Sequence, residues 1–231
     1  MRNVVRGPLP EALRKNSKRW TRELLKEIGK SNKTGIKVPD KYYNRYKHDD
    51  VKEKLMRMYG DDDFCYCCYC ESIIDDVSYE HIEHRMPKNK TKRKYPEKTF
   101  VWDNLHLSCE KCNTKKGTQY NEIHPILDAT GKDLIKKHLG YQVSETGQGV
   151  YRETLTKRGT TTVEHADLDR KTLRLARLKV YHATIKAIKE IRRLGNDSRI
   201  YTRIKMLRDK SKEEHGSLIE HLLDEWDISS V

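Results

Sequence analysis

The chain of 231 residues carries 48 Lys and Arg against 35 Asp and Glu, a formal net charge of +13, and only 35% of its residues are hydrophobic while 36% are charged. So small an apolar share limits the core to one compact domain with extensions or to two small ones. No apolar run reaches the length that spans a bilayer, and the opening MRNVVRGPLPEALRKNSKRW lacks the apolar stretch of a signal peptide, so the reading is a soluble cytoplasmic protein.

In chain order, residues 1–63 read as a polar helical extension, with Leu13, Trp20, Leu24, Leu25 and Ile28 at helical spacing. Lys30 to Lys37 interrupts this pattern, and a second helix carries Val51, Leu55, Met58 and Tyr59. Residues 64–120 change character and become Cys-rich. There, Ile73-Ile74 and Val77 to Ile82 flank Asp75-Asp76, which predicts two short strands in a local hairpin. Lys88 to Lys98, KNKTKRKYPEK, has no apolar periodicity and reads as a basic loop; FVWDNLHLSC reads as extended before a helix beginning near Cys109.

Residues 121–163 hold Gly131, Gly140, Gly147, Gly149 and Gly159 and predict a loop-rich connection with short elements. Residues 164–231 are helical. From Leu168 onward Leu175, Leu178, Tyr181, Ile185, Ile188 and Ile191 recur at three and four, the stripe of an amphipathic helix that Gly195-Asn196 ends. Two further helical pieces run from Ile200 to Leu207 and from Ser217 to Trp226.

The positive charge favours a polyanionic partner, because neutralising phosphates releases counterions. Lys and Arg are spread along the chain and not gathered opposite one apolar helical face, which disfavours a membrane surface. With six cysteines and no export signal, metal is a better use of the thiols than disulfides. Cys67-x-x-Cys70 and Cys109-x-x-Cys112 form two knuckles that supply the four thiolates of a closed, structural Zn2+ site. Cys65 and Cys68 make an overlapping knuckle, so spacing leaves the register of the first pair open, although the adjoining YCE favours Cys67 and Cys70.

Between the knuckles lie YEHIEHRMPK, WDNL and CNTKKG, and this order resembles the HNH endonuclease family. The resemblance implies a ββα-metal module and phosphodiester hydrolysis. It makes His84, followed by Pro87, the general base, Glu83 and Asn113 ligands of a catalytic divalent cation, and Asn104 the residue that steadies the loop. Asn113 stands where the family commonly has a last His, and its carbonyl oxygen favours Mg2+ or Mn2+ over an all-imidazole site for zinc or nickel. Glu80-His81 is a second acidic-His pair without the following Pro, which leaves His81 an accessory ligand or a structural histidine. Lys88, Lys90, Lys92, Arg93, Lys115 and Lys116 are the candidate phosphate contacts, against the alternative that such a run is a solvated face.

The wider pattern of GPLPEAL, CCYCE, HPILDATGKD and RGTTTVEHADLDRKTLRLAR is similar to PtuB-type HNH proteins of Septu and retron anti-phage systems. That likeness implies a nucleic-acid substrate, a PtuA-type ATPase partner and, in retron versions, a reverse transcriptase with its msDNA. The expected fold class is therefore α+β, a zinc-stapled ββα-metal HNH module within a mainly helical protein. The competing function is a non-catalytic zinc-containing nucleic-acid-binding or regulatory subunit.

Overall fold

The computed structural model describes residues 1–60, 63–88, 94–194 and 199–228. Helix α1 (Glu11–Thr34) buries Leu13, Leu24 and Ile28, while Leu25 lies off that stripe and is exposed. The expected interruption at Lys30 falls later, because Ser31 is itself buried and its hydroxyl donates to Ile36 O. Gly35 then ends the helix in the left-handed conformation at φ 73°, with its N–H on Ser31 O. A single turn α2 (Asp40–Tyr43), a 3-10 turn (Asn44–Tyr46) and helix α3 (Asp49–Tyr59) follow. Tyr43 and Tyr46 sink into the core, and His48 caps α3 by accepting from Asp50 N.

No local hairpin forms around Asp75-Asp76; Ile74–Val77 is instead the helical turn α4. Strand β1 (Glu80–His84) pairs with β2 (Leu105–Cys109), which lies beyond the basic loop, with Glu80 opposite Cys109 and His84 opposite Leu105. The physical reason is burial. All five residues of β2 are buried, with Leu105 and Leu107 at 0% exposure, so β2 brings an apolar strand that the acidic turn could not offer. Helix α5 (Glu110–Lys116) follows β2 directly and completes the expected ββα unit. The fold is thus α+β, a small ββα module set among helices.

The glycine-rich connection is more regular than its composition predicts. A hairpin of β3 (Leu139–Val143) and β4 (Val150–Thr154) turns at Gly147, whose φ is 67° and whose N–H reaches Ser144 O. Helix α6 (Lys157–His165) starts at Thr156, which caps Gly159 N. Helices α7 (Lys171–Arg193), α8 (Arg199–Lys210) and α9 (Gly216–Glu225) complete the chain. Helix α7 buries Leu173, Ile188 and Ile191 and leaves Leu175 exposed; its expected end at Gly195-Asn196 lies outside the described residues. Among the described residues no helix is long and apolar enough to cross a membrane.

Two apolar clusters organise these elements. One joins α1, α3, the cysteine region, β2 and the segment around Ile126 to Ala129; the other joins the β3/β4 hairpin to α7, α8 and α9. The first is strapped by the N-terminal segment, where Val4 N donates to Ala129 O. Arg6 Nη1 donates to Trp102 O and Leu105 O, its Nη2 donates to Asp103 O, and its guanidinium stacks 5.1 Å from the Trp102 ring. Trp102 Nε1 in turn donates to Gly7 O at 3.0 Å. Arg6→Ala leaves the part-buried carbonyls of Trp102 and Leu105 without this donor, a loss of about 1–3 kcal/mol for each group left unsatisfied. The expected outcome is a lowered thermal midpoint, with faster amide exchange at residues 101–105 than elsewhere in the sheet, read by hydrogen–deuterium exchange.

Candidate active site

The first cluster of chemistry is built at the junction of β2 and α5. Cys109 ends the strand, Cys112 lies on the first turn of the helix, and both face a tight turn holding Cys67 and Cys70. That turn is fixed by its backbone: Cys67 N donates to Ser72 O, Glu71 N to Cys67 O, and Cys68 N to Leu107 O at 2.9 Å. Glu71 takes φ 65° to close it. All four thiols are buried and their Sγ atoms lie within 4.8 Å of one another.

The Cys70 to Cys109 Sγ distance of 3.8 Å matches the edge of a tetrahedron whose arms are about 2.3 Å, so the donor set fits zinc. Cys65 and Cys68 are outside this group, and Cys65 Sγ is directed at Met56 O, so the geometry selects the Cys67/Cys70 register. Burial pushes the Cys67 thiol up, while hydrogen bonds from Cys109 and Cys112 hold Cys70 down. Such a cluster resists carrying four charges without a cation. Arg170 Nη1, 3.5 Å from Cys112 Sγ, adds positive charge beside it.

A cleft of about 660 Å³ opens next to this cluster and is bordered by His81, Glu83, His84, Lys88 and Asn113. His84 ends β1 and is buried, with Nε2 3.0 Å from Thr99 O. A carbonyl only accepts, so Nε2 carries the proton and Nδ1 keeps the lone pair. The Tyr46 ring packs edge-on to the imidazole at 4.5 Å. Burial, with Lys88 and Lys116 nearby, lowers the His84 pKa to about 3, so the ring is neutral at physiological pH.

Asn104 sits in the turn before β2 and ties the loop together with one amide. Its Oδ1 accepts from Met86 N at 2.7 Å, and its Nδ2 donates to Met86 O at 2.9 Å and Lys98 O at 3.1 Å. Arg85 N also donates to Asn104 O. The chain on both sides of the basic loop is thereby held beside His84.

Glu83 precedes His84 on the strand, and neighbouring side chains of a strand project to opposite faces. It is buried against α5, where Lys116 Nζ lies 2.6 Å from its carboxylate and Tyr69 Oη donates to it at 3.4 Å. Burial raises the Glu83 pKa even with Lys116 against it. Lys116 also donates to His84 O at 2.8 Å and is 0% exposed, so it cannot hold a substrate phosphate as expected; enclosure makes it a brace between β1 and α5. Lys115 is exposed and faces Asp167 at 3.7 Å. Lys88 donates to Tyr46 Oη at the cleft, whereas Lys90, Lys92 and Arg93 lie outside the described residues.

Asn113, on α5, is 2.9 Å from His81 Nδ1 through Nδ2, which leaves its carbonyl oxygen unused by that bond. His81 therefore belongs to the same cleft. Sequence reasoning did not single out Tyr46, Thr99 or Arg170: Tyr46 and Arg170 meet the site through contacts with residues far along the chain, and Thr99 through its backbone carbonyl.

Residues 67–119 match the family model described as HNH endonuclease. Among curated proteins, the chain is 34% identical over 109 residues to Septu protein PtuB of Bacillus mycoides (strain KBAB4), covering 43% of this chain and 36% of that protein. It is 42% identical over 65 residues to Septu protein PtuB of Bacillus thuringiensis, covering 28% of this chain and 24% of that protein. The chain thus spans about a third and about a quarter of the lengths of these two relatives. No solved structure matches it.

Because thiolate binding of zinc is folding free energy, Cys109→Ser should lose bound metal and unfold the module. Cys65→Ser should keep the metal content of the parent. Elemental analysis beside circular dichroism reads both, and loss of metal in Cys65→Ser would show that the other register is used.

Proposed function

We propose that the protein is a metal-dependent HNH endonuclease that hydrolyses phosphodiester bonds of nucleic acid, the effector of a Septu-type anti-phage system. The observation that carries this reading is the His84 imidazole, held through Nε2 on Thr99 O, bordering one cleft with Glu83 and Asn113. His84 Nδ1 takes a proton from water as the oxygen attacks phosphorus, and the bond to the leaving oxygen breaks. Asn104 holds the loop so that the base keeps its place, and Thr99 O fixes the proton on Nε2. The donor set of the Glu83 carboxylate and the Asn113 amide oxygen suits a hard divalent cation, Mg2+ or Mn2+. When bound, that cation supplies neutralising charge to the phosphate and the leaving oxygen. Structural Zn2+ on Cys67, Cys70, Cys109 and Cys112 keeps β2 and α5 in register beside it.

One observation favours the second reading, a non-catalytic zinc-containing binding or regulatory subunit: Lys116 already neutralises the Glu83 carboxylate. The two separate on His84→Ala. In the nuclease reading this variant keeps its zinc and fold but loses about 10²–10⁴ in cleavage rate on DNA or RNA with Mg2+ or Mn2+ present. Parent-level turnover in His84→Ala would defeat the assignment, and His81→Ala tests the alternative base directly.

The likeness to Septu proteins supports a partner, and the proposed one is a PtuA-type ATPase; a reverse transcriptase with its msDNA would mark the retron arrangement instead. A PtuA-type ATPase co-expressed with this protein should co-purify with it, and a monomer that ignores that ATPase at micromolar concentration, by size exclusion with light scattering, would count against the partnership.

A further inference from the structure

The cations around the cleft differ in what already neutralises them. Lys52 is ion-paired with Glu80, Lys116 with Glu83 at 2.6 Å, and Lys115 faces Asp167 at 3.7 Å. Lys88 donates to Tyr46 Oη and lies 4.2 Å from the centre of that ring. Lys47 borders the same cleft and is exposed, and its ammonium has no carboxylate partner among the described residues.

Its backbone, in contrast, is tightly held. Lys47 N donates to Asn44 O at 2.9 Å, the next residue, His48, caps α3, and the preceding Tyr43 and Tyr46 are 2% and 3% exposed in the core. An anchored turn thus presents an exposed charge that no carboxylate among the described residues compensates. Tyr46 touches His84 edge-on, so this turn stands immediately beside the proposed base, while Asn113, Gly117 and Thr118 border the cleft from α5 and its end.

Resting on the nuclease reading above, the geometry points to Lys47 as a substrate-binding residue that contacts a backbone phosphate of the bound nucleic-acid strand, on a wall built outside the HNH domain. A lysine already paired with a carboxylate brings little net positive charge to a phosphate, whereas an unpaired one neutralises that phosphate and releases the cation condensed on it. Lys47 therefore contributes more to affinity than Lys52 or Lys115, although all three carry the same formal charge. The contact is to phosphate and carries no base specificity.

The test uses the full chain in a His84→Ala background, so that binding is read without cleavage. Fluorescein-labelled DNA and RNA oligonucleotides are titrated by anisotropy over a range of KCl concentrations. Lys47→Ala should reduce the magnitude of the salt slope by about 0.7–0.9, equivalent to about five- to eight-fold weaker binding at 0.1 M salt. Lys47→Arg should restore most of it, and Lys189→Ala on α7, away from the cleft, should bind like the parent. Unchanged thermal midpoint and zinc content show that each variant is folded. Equal affinity and slope for Lys47→Ala and the parent would overturn the inference and leave the nuclease reading standing. Failure of the parent to bind either nucleic acid would overturn both.

Discussion

Thiol geometry at the start of α5 is the constraint on which the rest of the site depends. Cys67 and Cys70 arrive from a turn before α4, Cys109 and Cys112 from the β2–α5 junction, and their sulfur atoms come within 4.8 Å of one another. A domain with so few apolar residues gains little from burial alone, so closing this long loop through sulfur ligands replaces the hydrophobic area that it lacks. The consequence reaches His84 through the sheet. With Cys109 fixed, the register of β2 is fixed, and Glu80 opposite Cys109 sets His84 opposite Leu105.

The loop between the two strands is controlled from its ends. Asn104 joins Met86 and Lys98 with three hydrogen bonds, and Arg6 holds the carbonyls of Trp102, Asp103 and Leu105 from the far side. A segment that is remote in sequence therefore holds the turn that carries Asn104, which in turn holds the chain beside His84. The same logic applies to Tyr46, which comes from the turn between α2 and α3 and packs against His84.

Electrostatics in the cleft is a matter of partners more than of totals. A net charge of +13 describes a polyanion-binding surface only coarsely, because many lysines near the cleft are engaged within the protein. Lys116 is the extreme case. It is enclosed between β1 and α5, where a charged side chain is tolerated because Glu83 and His84 O both satisfy it.

The sequence by itself marked the four-cysteine cluster and the order of the residues that border the cleft, because both are written in local spacing. CxxC places two thiols on one tight turn, CNTKK lies within α5, and EHRMP and WDNL each span the junction of one short element with its neighbouring turn or strand. It also determined α1, α3 and α7 to α9, since helical periodicity is a local signal. What it misread were pairings and exposures. The strand from Glu80 to His84 chose Leu105–Cys109 over the acidic turn at Asp75-Asp76 because β2 is buried along its length, and nothing in the local pattern fixes a strand's partner. Which CxxC register binds, that Lys116 is enclosed while Lys47 faces the cleft, and that Tyr46 and Arg6 belong with the site were decided by the tertiary structure alone. Each depends on which surfaces come together when residues from three separate stretches pack around one core, a property that spacing along the chain does not encode.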